Sequence, residues 1–419
     1  MIISSKITFI SLFIYFLNLA SLFAQKTQDT IVYVNLTSIN PNADESDLQR
    51  LDTYFENVKV IAMGESTHGT SEFTRLRFKM FKYLVENHQF NTFFLEADYA
   101  NCLRINNYIN GENDTLLNAI REIELWPWQT TEMGTIIDWM RTYNSINKNK
   151  LNFIGVDVQK FNMTLKKIDL LLKTYNLPVT DSLTYFKIMN TDFYSVSNEI
   201  ELEVYNNLVN RKKNIETEKM SAKDHAEYSL LVRHFNQIII DKRSKKDERD
   251  KMMAKNILHH LKSDSLIKGF FCAHNGHIYK KLYNKSKKEK KRQGPTGGFL
   301  AYELQEQYFS IAQEFNRGSF NAYYLDSLSQ NKIKGKGYTL GKIKVEPAIP
   351  GSFSYQYRDI EKPIFIDCTT LQKKESVTMS LIGAVYYPSK IFRNNHHGRD
   401  AFHAIILIDK STPTHLLKK

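Results

Sequence analysis

Cysteine is scarce: Cys102, Cys272 and Cys368 are the whole complement in 419 residues, too few and odd in number for a disulfide framework. None stands in the C-x-x-C spacing of a thiolate metal site. Cys272 and Cys368 lie in the apolar runs F-F-C-A and I-F-I-D-C, which points to buried structural thiols; a single disulfide in an oxidising compartment stays open. Internal repeats are also lacking, which excludes solenoids and propellers. The net charge of +12 comes without a helix-turn-helix pattern or a basic sheet interleaved with aromatics. Nine of the twelve excess charges fall in Lys285–Arg292 and Lys242–Lys255, which read as solvated loop or helix-end segments, so nucleic acid is not expected as a partner.

What is present is a chain that is 42 % apolar and 12 % aromatic, long enough for one large domain or two ordinary ones with a proper core. Residues 1–24 stand apart. Lys6 precedes the apolar run I-T-F-I-S-L-F-I-Y-F-L-N-L-A, which ends at the small residues Ala20, Ser21 and Ala24. That is the pattern of a secretory signal peptide cleaved after Ala24, and it predicts an exported, periplasmic protein with no stable membrane insertion. An uncleaved anchor is the alternative, although the run is a little short for a span. No cysteine follows to carry a lipid.

Four short runs, 58–64, 91–96, 151–157 and 268–274, are apolar almost throughout, as strands buried on both faces of a parallel sheet are. Between the first two, Phe73, Leu76, Met80, Phe81 and Leu84 recur at helical spacing and complete a βαβ unit. Residues 160–263 carry charged-and-apolar helical patterns with one proline, Pro178, and read as a helical insertion between the third and fourth core strands, placed to cover a cleft. Further strands are expected at 308–315, 320–325, 363–368, 383–388 and 401–408. The fold class is therefore α/β, a central mostly parallel sheet flanked by helices.

Parallel sheets bind ligands at the carboxyl ends of their strands. Those ends present Glu65 and His68, then Glu96 and Asp98, then Asp157, then His274 and His277. A carboxylate beside an imidazole fixes its tautomer and raises its basicity, so His68, flanked by Gly64 and Gly69, is a candidate base. A polar turn with Ser66 and Thr67 as helix caps explains the same residues equally well. His274 and His277 with Glu65 or Asp157 could form a zinc site, but the H-E-x-x-H spacing is absent. Arg77, on the first helix, is a surface cation by default and could otherwise reach back to an oxyanion. Trp126 and Trp128 are packing residues or a wall for a large apolar ligand. His225, His234, His259 and His260 read as solvated helix histidines.

Seven motifs in order, G-E-S-T-H-G, F-L-E, W-P-W-Q-T-T-E with D-W-M-R-T-Y-N, F-I-G-V-D-V-Q, R-D-K-M-M-A-K-N, A-H-N-G-H-I and G-G-F-L, resemble the erythromycin esterase family over residues 55–320. The resemblance implies a hydrolase domain over 25–419, with 160–263 as an insertion or lid. It implies addition of water across the macrolactone ester of erythromycin-type antibiotics, with resistance as the outcome, and no required cofactor or metal. On that resemblance His68 is the general base, oriented with its water by Glu65 and Glu96. Arg77, His274 and His277 complete the catalytic set, and Asp157, Trp126 and Trp128 contact substrate. An exported hydrolase acting on a cell-envelope or exopolysaccharide ester is the alternative.

Overall fold

Continuous apolar runs need cover on both faces, and the computed structural model provides it with two helical layers around one sheet. The structure describes residues 31–417 apart from 192–194, 216–219, 245–247, 283–292, 327–331, 334–335, 349, 372–375 and 388–391. The leader expected at 1–24 and the basic run at 285–292 lie outside the described residues.

Strand β1 (Tyr33–Asn35) is followed by β2 (Val60–Met63), helix α1 (Ser71–His88) and β3 (Thr92–Asp98). Helices α2 (Tyr99–Ile109), α3 (Leu116–Arg121) and α4 (Thr131–Ile146) lead to β4 (Asn152–Asp157). Helices α5 (Asn162–Lys173), α6 (Ser182–Asn190), α7 (Asn198–Ile215), α8 (Ala222–Arg243) and α9 (Arg249–Ser263) precede β5 (Gly269–Cys272). Then come α10 (Thr296–Leu304), β6 (Tyr308–Leu325), β7 (Lys332–Ile333), β8 (Lys336–Val345), β9 (Ile364–Asp367), β10 (Ser376–Ser380), β11 (Phe392–His397) and β12 (Ala404–Ser411).

The main sheet has the order β1-β9-β12-β6-β2-β5-β3-β4. From β12 to β4 every neighbour is parallel, while β9 and β8 add antiparallel. The period of two sorts the side chains: Ile61 and Met63 join Phe73, Met80 and Ile136 on one face. Val60 and Ala62 meet Met253, Ala254 and Ile257 of α9 on the other. All four predicted core strands are present, and their carboxyl ends open on one edge. The central mostly parallel sheet and the helical stretch before β5 match expectation.

Elsewhere the structure departs from it. The runs 308–315 and 320–325 are one strand, β6, which swings at Gly318 (φ +123°) from pairing with β12 to pairing with β8. Residues 383–387 form no strand; they are a loop touching β6 through Val385 and the turn after β2 through Gly383. His234 is buried because helices α5–α8 enclose a core of their own around Leu165, Ile168, Tyr228 and Phe235, and His260, on α9, is buried against Phe94 of β3. His234 stacks on Tyr99 of α2 at 4.7 Å, and burial pushes its pKa well down. All three cysteines are buried, and no disulfide joins any two of them. Among the described residues no helix is long and apolar enough to cross a membrane.

A late segment braces the edge where the strands end. Thr414 N–H donates to Gly69 O (2.9 Å), Ser71 N–H to Thr412 O (2.9 Å), and Asn321 Nδ2 to Thr414 O (2.7 Å). His415 bonds Glu132 at the start of α4. Gly69 is pressed so closely onto β6 that a Cβ there would lie 1.9 Å from Asn321 O. The contacting atoms, Asn321 O, C and N, all belong to backbone, so the Gly69→Ala variant should lose about 1–3 kcal/mol. Urea unfolding measures this, and an unchanged midpoint would refute the close approach.

Candidate active site

Strand β2 ends at Met63, and Gly64–Thr70 then turns the chain into α1. The cap of α1 is Thr70, not Ser66 or Thr67, so the capping explanation for this turn does not hold. Glu65 instead faces inward, 1 % exposed, and both its oxygens are engaged. Oε1 accepts from His68 Nδ1 at 2.6 Å, and Oε2 accepts from Arg77 Nη1 at 2.6 Å. Arg77 is fully buried; its remaining bonds run to Met63 O (3.2 and 3.1 Å) and Ala273 O (2.7 Å), the ends of β2 and β5. It therefore sits beneath Glu65, not in the opening, and cannot meet an oxyanion directly. With Nδ1 held by Glu65, the His68 nitrogen turned outward is Nε2.

Beyond β5, His274 caps a single helical turn, Asn275–Ile278, by accepting Gly276 N–H at Nδ1 (3.2 Å). The neutral ring then carries its proton on Nε2, 3.3 Å from Ser66 O. Burial pushes the His274 pKa down to about 3, so it is neutral at physiological pH and can donate but not bind a proton. Its ring centre lies 5.4 Å from that of His68, so the two imidazoles are neighbours.

His277 belongs to a second charged group. Nδ1 donates to Asp250 Oδ1 (2.8 Å) and Nε2 to Glu96 Oε1 (3.2 Å). Burial alone would lower its pKa; the two carboxylates raise it well above the ordinary value, so it stands as an imidazolium. Glu96 also accepts Arg249 Nη2 at Oε1 (2.9 Å) and His274 N–H at Oε2 (2.7 Å). Burial would raise its pKa, and His277, His68 and Arg249 hold it well below the usual range. Asp157, fully buried, grips Arg249 with both oxygens (2.8 and 2.6 Å). Its neighbour Asp98 is pushed up to about 7 by burial and by the Asp157 charge.

The tryptophans part company. Trp128, 2 % exposed, donates Nε1–H to Glu96 O (2.9 Å) and sets its ring edge-on to His68 at 5.8 Å. It is backing for His68 and offers no open wall. Trp126 is half-buried and meets Tyr323 edge-on at 6.1 Å. Asp157 likewise has no face toward a substrate. Glu65, His68, Glu96, His274 and His277 are brought together as expected.

Arg249, Asp250 and Thr296 were missed. Thr296 donates its N–H (2.8 Å) and hydroxyl (2.7 Å) to Asp250 Oδ1 and locks that carboxylate against His277. The signal was present in R-D-K-M-M-A-K-N, but the basic surroundings made Arg249 and Asp250 look like solvated helix end. Among the described residues no three His, Cys, Asp or Glu side chains gather around one point as metal ligands do.

Three comparisons bear on this geometry. The family model described as Erythromycin esterase matches residues 85–411. Erythromycin esterase type II of Escherichia coli is 30 % identical over 122 residues, 29 % of this chain and 28 % of that protein, so little more than a quarter of its length is matched. The putative hydrolase YbfO of Bacillus subtilis (strain 168) is 23 % identical over 381 residues, with 80 % of each chain covered. Among solved structures, a mutant of the erythromycin esterase EreC in its open conformation shares the fold at a TM-score of 0.68, with 16 % identity over 93 % of this chain and 100 % of that one.

The Asp250–His277 pair makes a pH prediction. A raised histidine pKa contributes stability that is complete below the unfolded value, about 6.5, and is lost as pH rises through the folded value. The Asp250→Asn variant should lower the His277 pKa and bring that alkaline loss to lower pH. Imidazole NMR titration and urea unfolding across pH measure both, and an unshifted His277 would refute the pairing.

Proposed function

Because the chain belongs to the erythromycin esterase family, we propose that it is an exported ester hydrolase that opens the macrolactone of erythromycin-type antibiotics with a His68-activated water. The observation that carries this reading is the Glu65–His68–His274 arrangement at the carboxyl end of adjacent parallel strands. Glu65 holds the His68 Nδ1–H and stabilises the imidazolium that forms. Nε2 takes a proton from water, and the hydroxide oxygen attacks the ester carbonyl. Charge developing on the carbonyl oxygen is met by the neutral His274 Nε2–H, which shares its hydrogen with the Ser66 carbonyl 3.3 Å away. As the C–O bond breaks, the His68 imidazolium returns its proton to the leaving alkoxide.

The remaining groups act through these two. Glu96 fixes the His274 backbone, and the Asp250–His277–Arg249–Asp157 network fixes Glu96. No step requires a metal or an organic cofactor. Export through a leader at 1–24 would place the enzyme in the periplasm, where a macrolide is met before it crosses the inner membrane. Substrate is thus a small macrolactone, with neither nucleic acid nor membrane as partner.

Purified protein incubated with erythromycin should yield a product heavier by one water, seen by mass spectrometry. The His68→Ala variant should lose about 10²–10⁴-fold in kcat with the fold retained. Release of acetyl from envelope polysaccharide with macrolides untouched would redirect the reading to the envelope ester. Dialysis against a chelator should leave turnover intact, and loss restored by added zinc would overturn the metal-free mechanism.

A further inference from the structure

Among the buried carboxyls that the mechanism above does not use, one lies beside the catalytic turn. Glu314, in the middle of β6, is fully buried, and among the described residues no arginine, lysine or histidine is bonded to it. Oε2 accepts Ser380 N–H at 2.6 Å, Oε1 accepts its own neighbour Phe315 N–H at 2.9 Å, and the Ser66 hydroxyl faces the carboxyl without closing a well-formed bond. Burial pushes its pKa up to about 7, against the pull of those donors. A buried carboxyl is an expensive way to brace a loop that an amide could brace, so its surroundings matter.

Ser380 is the root of a short lip that closes over the catalytic turn. Ile382 N–H (2.8 Å) and Gly383 N–H (3.3 Å) both donate to Ser66 O, and His68 N–H donates back to Gly383 O at 3.3 Å. The Ser66 carbonyl is also the acceptor facing His274 Nε2. Gly383, at φ +66°, turns its open side to the gap between the histidines: a Cβ there would lie 3.9 Å from His274 Nε2 and 4.0 Å from His68 Cδ2. One carboxyl thus stands at the base of both the turn that carries His68 and the lip that faces both imidazoles.

We propose that Glu314 is a positioning residue for hydrolysis, anchoring Ser380 and with it the 380–383 lip, whose Ile382 and Gly383 N–H groups hold the Ser66 turn, and so setting the spacing between His68 Nε2 and His274 Nε2. The proposal rests on His68 and His274 being the reacting pair. It also makes Gly383 the residue a substrate carbonyl passes as it enters the gap.

The test uses the full mature protein with p-nitrophenyl acetate and erythromycin as probes. Glu314→Ala orphans the Ser380 N–H and should cut kcat about 10–100-fold with KM little changed, since displacements of an ångström are felt on that scale. Glu314→Gln keeps an acceptor for Ser380 and should recover most of the lost kcat. Glu314→Asp, which folds more readily than Ala but cannot span to Ser380, should fall between them. A purely bracing role would lower thermal stability in all three while leaving kcat at wild-type level well below Tm, and that result overturns the proposal. Imidazole NMR gives a readout independent of turnover: the His68 and His274 side-chain signals should move in Ala and Asp and return in Gln. Unmoved signals in Glu314→Ala overturn the proposal even if neither probe is hydrolysed, while moved signals with no hydrolysis by wild type count only against the proposed substrate class.

Discussion

The Arg77–Glu65 ion pair is the contact on which the rest of the site depends. Burying both charges carries a large desolvation cost, which close geometry and full hydrogen bonding must offset. Here the guanidinium does more than neutralise Glu65: it bonds the carbonyls at the ends of β2 and β5, so α1 and two adjacent strands meet at one cation. Glu65 is left with one oxygen for His68. The direction of the imidazole follows from a chain of three side chains with no free torsion between them.

A second cluster repeats this logic with more charges. Glu96, Asp157 and Asp250 face Arg249 and the His277 imidazolium, and the excess negative charge is relieved by Asp98, which burial keeps near its protonation midpoint at neutral pH. The two imidazoles of H-x-x-H, three residues apart, thereby acquire opposite roles. His274 accepts a backbone N–H and is neutral; His277 donates to two carboxylates and is charged. Identical residue types are separated by environment alone.

Much of this was legible because a parallel strand advertises itself as an uninterrupted apolar run, and the polar residue that ends the run marks the edge where ligands bind. Glu65, His68, Glu96, Asp157, His274 and His277 were all found that way. What was illegible depends on packing direction. Arg77 on a helix can face either the opening or the core, and only the burial of α1 against β2 decides. Arg249 meets Asp157 across 92 residues, and nothing local distinguishes it from the basic run around it. His234 looked solvated because its charged helix was read without the second core that encloses it. The bend in β6 hid in a single glycine.

The brace formed by residues 411–417 has a consequence for the order of assembly. Thr412 meets Glu72, at the start of α1, across 340 residues of sequence, and Thr414 fastens Gly69 beside His68. A chain emerging from its amino end can pair β3 with β4 early, since that crossover is local by comparison, while β2 waits for β5 and β6. The turn carrying the base must wait for a partner made several hundred residues later. Completion of the site is then among the final events of folding, and a nascent chain carries an open, unfinished site.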